Sequence, residues 1–222
     1  MLNAKSQTRI KYYAGGARPR LLIISGMHGD ESDVIKCVGQ AVKKYLNKLP
    51  PFVFIPKASP SAVRQLTRFN QEKIDLNRNF IDATQSNEVK TIMSIVKKYK
   101  FDLCVSFHED MEQEEFYCYD CGEYQDCCKI KSFQQAVRTY GFKLFNGIDD
   151  HSDPALGYQC IDGYIGIPRN FYQQDNGIFE HWAMRRGIIK RILTPEIPGK
   201  LPKNKKQQLT ELFFRQVILG EG

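Results

Sequence analysis

The chain has 222 residues, 42% hydrophobic and 26% charged, with a formal net charge of +7. That length suits one domain, with a core large enough to fold without staples. No apolar run reaches the roughly 18 residues needed to cross a bilayer. The opening MLNAKSQTRIKYYAGG has no apolar stretch of signal-peptide type, so a cytoplasmic protein off the membrane is expected.

In chain order, Leu21 to Ser25 (LLIIS) is a short apolar run bounded by turn residues, which predicts a buried parallel strand. After Gly26-Met27-His28-Gly29-Asp30 an amphipathic pattern predicts a helix from Glu31 to about Leu49. Phe52 to Pro56 reads as the next strand, followed by a loop-rich stretch through Phe80. Asn87 to Lys100 has helical periodicity, Leu103 to Phe107 (LCVSF) is a buried strand, and Phe116 to Tyr119 (FYCY) a third. Ser132 to Tyr140 reads as helix. Residues 146–176, rich in Gly, Pro, Asp and Asn, read as a long ordered loop or short hairpin of the kind that walls a site. Gly177 to Arg186 can form one helix, Ile188 to Leu193 a strand, and Asn204 to Leu219 a closing helix. Alternating strands and helices imply an α/β three-layer arrangement around a mixed, largely parallel sheet.

The basic excess lies in helix-like runs such as AVKKYLNKL and KLPKNKKQQL, which a solvated helix face explains, and no nucleic-acid motif accompanies them. Of seven cysteines, Cys118 and Cys121 form a C-x-x-C, but the following pair, Cys127 and Cys128, is adjacent. That spacing suits a tetrahedral zinc knuckle poorly, and reduced thiols are expected.

The sharpest local signal is His28-Gly29-Asp30-Glu31, placed where a strand hands over to a helix. Open α/β sheets bind ligands beyond the carboxyl ends of their strands. There an imidazole and a carboxylate three residues apart can converge on one cation, with Gly26 and Gly29 allowing the tight turn. A catalytic zinc takes three protein ligands and keeps one position open. His108 closes the CVSFH strand and supplies the third. His151, in the irregular loop, and His181, in a helical stretch, are read as structural. Amide hydrolysis also needs a base that later protonates the leaving amine, and a cation where negative charge develops. Glu196 of LTPEIPG ends the last apolar strand and falls on the same sheet edge as the two histidines. Asn77 and Arg78 bring an amide and a guanidinium side by side, and an Arg fork pairs bidentately with a carboxylate. Arg68 is a second cation in the same segment. Glu109, beside the third ligand, is expected to point away from the face of His108 and to serve as a second shell or rim.

Taken in order, HGDE, TRFNQEKIDLNRNF, SFH, FYQQDNGIFEHW and LTPE resemble the zinc carboxypeptidase superfamily. That superfamily includes murein peptide amidases and the succinylglutamate desuccinylase/aspartoacylase branch. The resemblance implies a zinc carboxypeptidase-like catalytic domain over residues 1–222 holding one zinc ion on His28, Glu31 and His108. It assigns Arg68 to the oxyanion, Asn77 and Arg78 to the substrate's terminal carboxylate, and Tyr172 to capping the substrate. Glu196 becomes general base and then general acid for a water on the zinc. The implied function is a metallocarboxypeptidase or peptide amidase, cleaving a peptide or amide bond next to a free C-terminal carboxylate.

An N-acyl amino acid deacylase of the aspartoacylase type is the alternative. The short stretch after Glu196 and the presence of Tyr172 favour the peptidase. A catalytically inactive peptide-binding protein is a third reading, opposed by the presence of every residue type the chemistry needs. Ile178, Phe179 and Glu180 all remain candidates for the pocket that meets the substrate's side chain.

Overall fold

The computed structural model describes residues 3–7, 10–122, 127–150, 153 and 156–221. Its centre is an eight-stranded sheet in the order β1-β2-β4-β3-β5-β10-β6-β9. These strands are β1 (Asn3–Gln7), β2 (Ile10–Gly15), β3 (Leu21–Ser25), β4 (Phe52–Ile55), β5 (Phe101–Asp110), β6 (Tyr117–Gly122), β9 (Tyr164–Ile167) and β10 (Ile189–Pro198). The middle pairings β4–β3, β3–β5 and β5–β10 are parallel, as is β6–β9, while β1–β2, β2–β4 and β10–β6 are antiparallel. The sheet is therefore mixed, with a parallel centre. All five residues of β3 are buried, as a strand covered on both faces requires.

One face is covered by α1 (Ser32–Tyr45), α4 (Cys127–Thr139) and α7 (Lys203–Phe213), the last running into a π-helical turn, Phe214–Ile218. Helix α1 turns Val34, Val38, Ala41, Val42 and Tyr45 inward, a stripe at helical spacing, onto Leu21, Ile23, Phe52 and Phe54. The other face is covered by α3 (Asn87–Val96) and α6 (Phe179–Arg185), which bring Val89, Ile92, Val96, Phe179 and Trp182 onto Leu22, Ile24, Val53 and Ile192. Ser86 caps α3, its Oγ accepting from the Val89 N–H. The three-layer expectation holds.

Several elements differ from expectation. β1 and β2 form an antiparallel edge that the sequence reading omitted, because β2 (IKYYAG) is buried only at alternate early positions and lacks a continuous apolar run. The loop-rich stretch before Phe80 contains the short helix α2 (Pro60–Gln65) and one 3-10 turn, Leu76–Arg78. Within 146–176 lie the predicted hairpin, β7 (Gly147–Ile148) with β8 (Gln159–Cys160), and also β9 and the short helix α5 (Arg169–Tyr172). The helix expected to reach Leu49 ends at Tyr45. The six described cysteines are free thiols. Cys118 and Cys121 enter the cores on opposite faces of the sheet, so they cannot share a zinc knuckle.

Candidate metal centre

Because β3, β5 and β10 are adjacent and parallel, their carboxyl ends lie along one edge. The chain leaves β3 through Gly26 at φ +66°, a left-handed turn that costs a glycine nothing. Gly29 serves a different need. A Cβ there would sit 2.0 Å from the Ala62 carbonyl oxygen, so glycine lets the turn pack against α2, and its N–H donates to the Thr67 carbonyl at 2.9 Å. His28 and Glu31, the residue just before α1, are thereby set at the strand end. β5 runs three residues past Phe107, to Asp110, and carries His108 near that end. In β10, Glu196 pairs in register with His108 on one side and Tyr117 of β6 on the other.

The three ligand candidates do converge. One donor atom from each of His28, Glu31 and His108 lies within 4.8 Å of the others, and all three side chains are buried. Glu31 Oε1 is 2.5 Å from His28 Nδ1 and 3.2 Å from His108 Nδ1. Tetrahedral zinc with bonds near 2.0–2.1 Å needs donors roughly 3.3 Å apart, so this cluster needs only small adjustments. The other imidazole nitrogens are already engaged, His28 Nε2 with Asp75 Oδ1 at 3.1 Å and His108 Nε2 with Ser106 Oγ at 3.3 Å. That engagement orients both rings with Nδ1 toward the shared point. Among the described residues Glu31 Oε2 is buried without a hydrogen-bond partner, as fits a carboxylate that would hold a cation.

Electrostatics agree. Burial pushes the Glu31 carboxyl up, but the two imidazoles more than reverse this and bring it down to about 2. Burial lowers His108, yet Glu31 overrides it and lifts the imidazole to about 10. Glu196 differs: burial drives it up to about 8, His108 opposes this, and Glu31 and Asp110 add to it.

Below this centre opens a cavity of about 950 Å³. Arg68 lines it, with Nε 2.8 Å from Asp75 Oδ2, so Asp75 links this guanidinium to His28. Burial raises the Asp75 carboxyl, but the His28 hydrogen bond and the charges of His28, Arg68 and Arg78 hold it below the usual carboxylate range. Arg78 also lines the cavity and is paired with Asp153. Asn77 is buried: its Oδ1 accepts from the Phe179 N–H at 2.9 Å and its Nδ2 donates to Glu180 Oε2 at 3.3 Å. Gly177, at φ +76°, permits this docking, because a Cβ would meet the Arg78 carbonyl oxygen at 2.2 Å.

Some assignments are corrected by the structure. Glu109 points away from the face of His108 as expected, but it is buried and not at a rim: Oε2 accepts from the Val34 N–H at 3.2 Å, and Oε1 accepts from Lys206 Nζ at 2.5 Å. It secures the N-terminus of α1 to β5 on the far side of the sheet. Of the three specificity candidates, Ile178 and Glu180 line the cavity, whereas Phe179 is fully buried against Phe80 and Trp182. His181 is buried, bonded through Nδ1 to Asn176 Oδ1 at 3.1 Å, and lines the cavity as well. Burial holds its imidazole below 6.5. Tyr172 ends α5, while its side chain and all of His151 lie outside the described residues.

Sequence reasoning passed over Asp75, although it stands two residues before Asn77. It also passed over Tyr117 and Tyr119, whose i, i+2 spacing puts both on one face of β6. Both tyrosines line the cavity, their hydroxyls donating to Asp110 at 2.7 Å and Asp149 at 2.8 Å.

Solved structures share this architecture. A provisionally named metallopeptidase from Shewanella amazonensis SB2B superposes with a TM-score of 0.77 at 20% identity, covering 98% of this chain and 88% of its own. A second, from Shewanella denitrificans OS217, gives 0.77 at 23% identity, with coverage of 98% and 85%. A metallo-carboxypeptidase from Burkholderia cenocepacia gives 0.68 at 17% identity, covering 98% of this chain and 64% of its own. This chain has the metallo-carboxypeptidase fold. No family model matches the sequence, and no match was found among curated proteins. In this carboxypeptidase-like frame the His28–Glu31–His108 cluster occupies the carboxyl edge of the parallel strands, where the fold places ligands.

Proposed function

We propose that the chain is a zinc-dependent hydrolase that cleaves a peptide or amide bond next to a free C-terminal carboxylate, with residues 1–222 acting as one catalytic unit. The observation that carries this reading is the convergence of His28 Nδ1, Glu31 and His108 Nδ1 beside Glu196, over a cavity that also presents Arg68 and Arg78. His28, Glu31 and His108 would hold the ion, one per chain. When bound, zinc supplies Lewis acidity that polarises a carbonyl and acidifies water.

The chain's own groups divide the remaining work. Arg78 takes the substrate carboxylate in place of Asp153, and the second N–H of Asn77 Nδ2 is available to the same group. Arg68, oriented by Asp75, stabilises the negative charge that develops on the scissile carbonyl oxygen. Glu196 takes a proton from the attacking water and delivers it to the departing amine. Burial favours that shuttle by raising its proton affinity. Tyr172, on the short helix between β9 and α6, is assigned to covering the bound residue. Substrates are short peptides or N-acyl amino acids with a free carboxylate, without a nucleic-acid or membrane partner. No helix among the described residues is long and apolar enough to cross a membrane.

The test has two parts. Purified protein should carry about one zinc per chain by elemental analysis. A mixed peptide pool followed by mass spectrometry should lose single C-terminal residues, and Glu196→Gln should keep the zinc while losing turnover. Robust turnover of N-acetylaspartate or succinylglutamate alone would instead identify an acyl amino acid deacylase. Zinc-loaded protein that binds peptides and cleaves none would identify a binding protein.

A further inference from the structure

The cavity contains a buried carboxylate that the proposed chemistry leaves unused. Glu180 lies in the first turn of α6, is 4% exposed and lines the cavity. One oxygen, Oε2, accepts from Asn77 Nδ2 at 3.3 Å, and the other, Oε1, is buried with no hydrogen-bond partner among the described residues. A buried carboxylate oxygen left this way costs desolvation free energy that an arriving cationic donor would offset.

Among the described residues, no cationic group in the cavity fills that role. Arg68 is bonded to Asp75 and Arg78 to Asp153. His181, the next residue, directs Nδ1 to Asn176. The cavity that Glu180 lines has the mixed character a long cationic side chain needs. Ile167, Ile178 and Leu156 line the same cavity and would pack an aliphatic stem, leaving the charged head for the carboxylate. The wider field has the same sign: Asp149, Asp150 and Glu112 also line the cavity, although the whole chain carries +7. A cleft of one sign concentrates ligands of the other.

The geometry points to Glu180 as the residue that selects a cationic side chain, a primary ammonium or guanidinium, on the residue whose carboxylate Arg78 holds. This inference rests on the proposed hydrolase reading for where that carboxylate sits. Asn77 couples the two subsites, since its amide braces Glu180 and stands beside Arg78. The chemical class of ligand is therefore a residue with a free carboxylate at one end and a positive charge at the other.

The experiment compares zinc-loaded wild type with Glu180→Gln, a variant of nearly the same shape that keeps an acceptor for Asn77. Calorimetry with L-arginine and its neutral isostere L-citrulline reads binding. A dipeptide panel ending in Lys, Arg, Leu or Glu reads turnover. Wild type is expected to bind arginine at least tenfold more tightly than citrulline, and to favour Lys and Arg ends by a similar factor. Glu180→Gln should bring the binding ratio to about one. Equal binding of the two amino acids by wild type overturns the inference, as does cleavage of Leu or Glu ends in preference to Lys and Arg. In the latter case the hydrolase reading survives. Preferential arginine binding without cleavage of any dipeptide supports the Glu180 subsite and removes the hydrolase reading. The wild-type comparison stands even if Glu180→Gln fails to fold.

Discussion

Replacing Asp75 by Asn should weaken zinc binding about tenfold while leaving all three ligands in place. The carboxylate makes three contacts with its two oxygens: Oδ1 accepts from His28 Nε2 at 3.1 Å and from the Asn77 N–H at 2.9 Å, and Oδ2 accepts from Arg68 Nε at 2.8 Å. An amide has one acceptor oxygen. If it faces His28, its NH2 confronts the Arg68 N–H; if it faces Arg68, the NH2 confronts the N–H of His28. The first orientation loses the Arg68 contact, the second loses both the His28 and the Asn77 contacts, and in either the negative charge that favours the His28 tautomer with a free Nδ1 is gone. The side chain is only 13% exposed, so water substitutes poorly. Partners of this kind are worth roughly 10–100-fold in metal affinity, or about 1.4–2.7 kcal/mol. Asp75→Ala, which removes every contact, should fall at the upper end.

The assay is competition for zinc between metal-stripped protein and a chromophoric chelator, at fixed pH. Arg68→Met is the control, because it frees Asp75 Oδ2 but keeps the His28 contact. It should bind zinc nearly as tightly as wild type while losing turnover. Zinc affinity within twofold of wild type for Asp75→Asn, or a larger loss for Arg68→Met, would refute the reasoning that Asp75 acts through His28.

Three further outcomes are expected. Glu196→Gln should retain zinc and lose roughly 10²–10⁴-fold in turnover, the usual worth of a positioned acid–base, measured with the best peptide from the pool. Lys206→Met should destabilise the fold by about 3–5 kcal/mol, because it strands the buried Glu109 carboxylate. Lys206→Met with Glu109→Leu should recover much of that loss in denaturant titrations. The pH dependence of the metal-free protein follows from Glu196, whose carboxyl is raised from 4.5 to about 8 in the folded state. Between those values the folded state holds a proton that the unfolded chain has released. Stability from this group is therefore full below about pH 4.5 and is lost as pH rises through 8. His108, raised to about 10, works in the same direction at higher pH. Denaturant midpoints in chelator should fall from pH 5 to pH 8.5, and Glu196→Gln should flatten that fall. A midpoint in the variant that falls as steeply as in wild type would contradict the burial of Glu196.

Much of the site was legible because it sits at element ends. The strand LLIIS, the HGDE turn, CVSFH and LTPE each announce a strand finishing in a polar residue, and a parallel sheet puts such ends on one edge. That logic placed His28, Glu31, His108 and Glu196 together, and register pairs Glu196 with His108. Strands β1 and β2 escaped because antiparallel strands at the margin of a sheet need only one apolar face, which leaves a faint pattern in a short segment. Strand β9 escaped because YIGI is four residues long and sits among turn residues.

The sequence by itself determined the three-layer α/β class and the candidate ligands, since hydrophobic period and motif spacing are local properties. Only the tertiary structure decided what each polar group faces. Asp75 reaches back 47 residues to His28, Glu109 finds Lys206 as its partner, Phe179 enters the core while Glu180 lines the cavity, and Arg78 meets Asp153. These pairings join segments far apart in the chain. Which partner wins depends on burial and distance, and neither is fixed until the layers have packed.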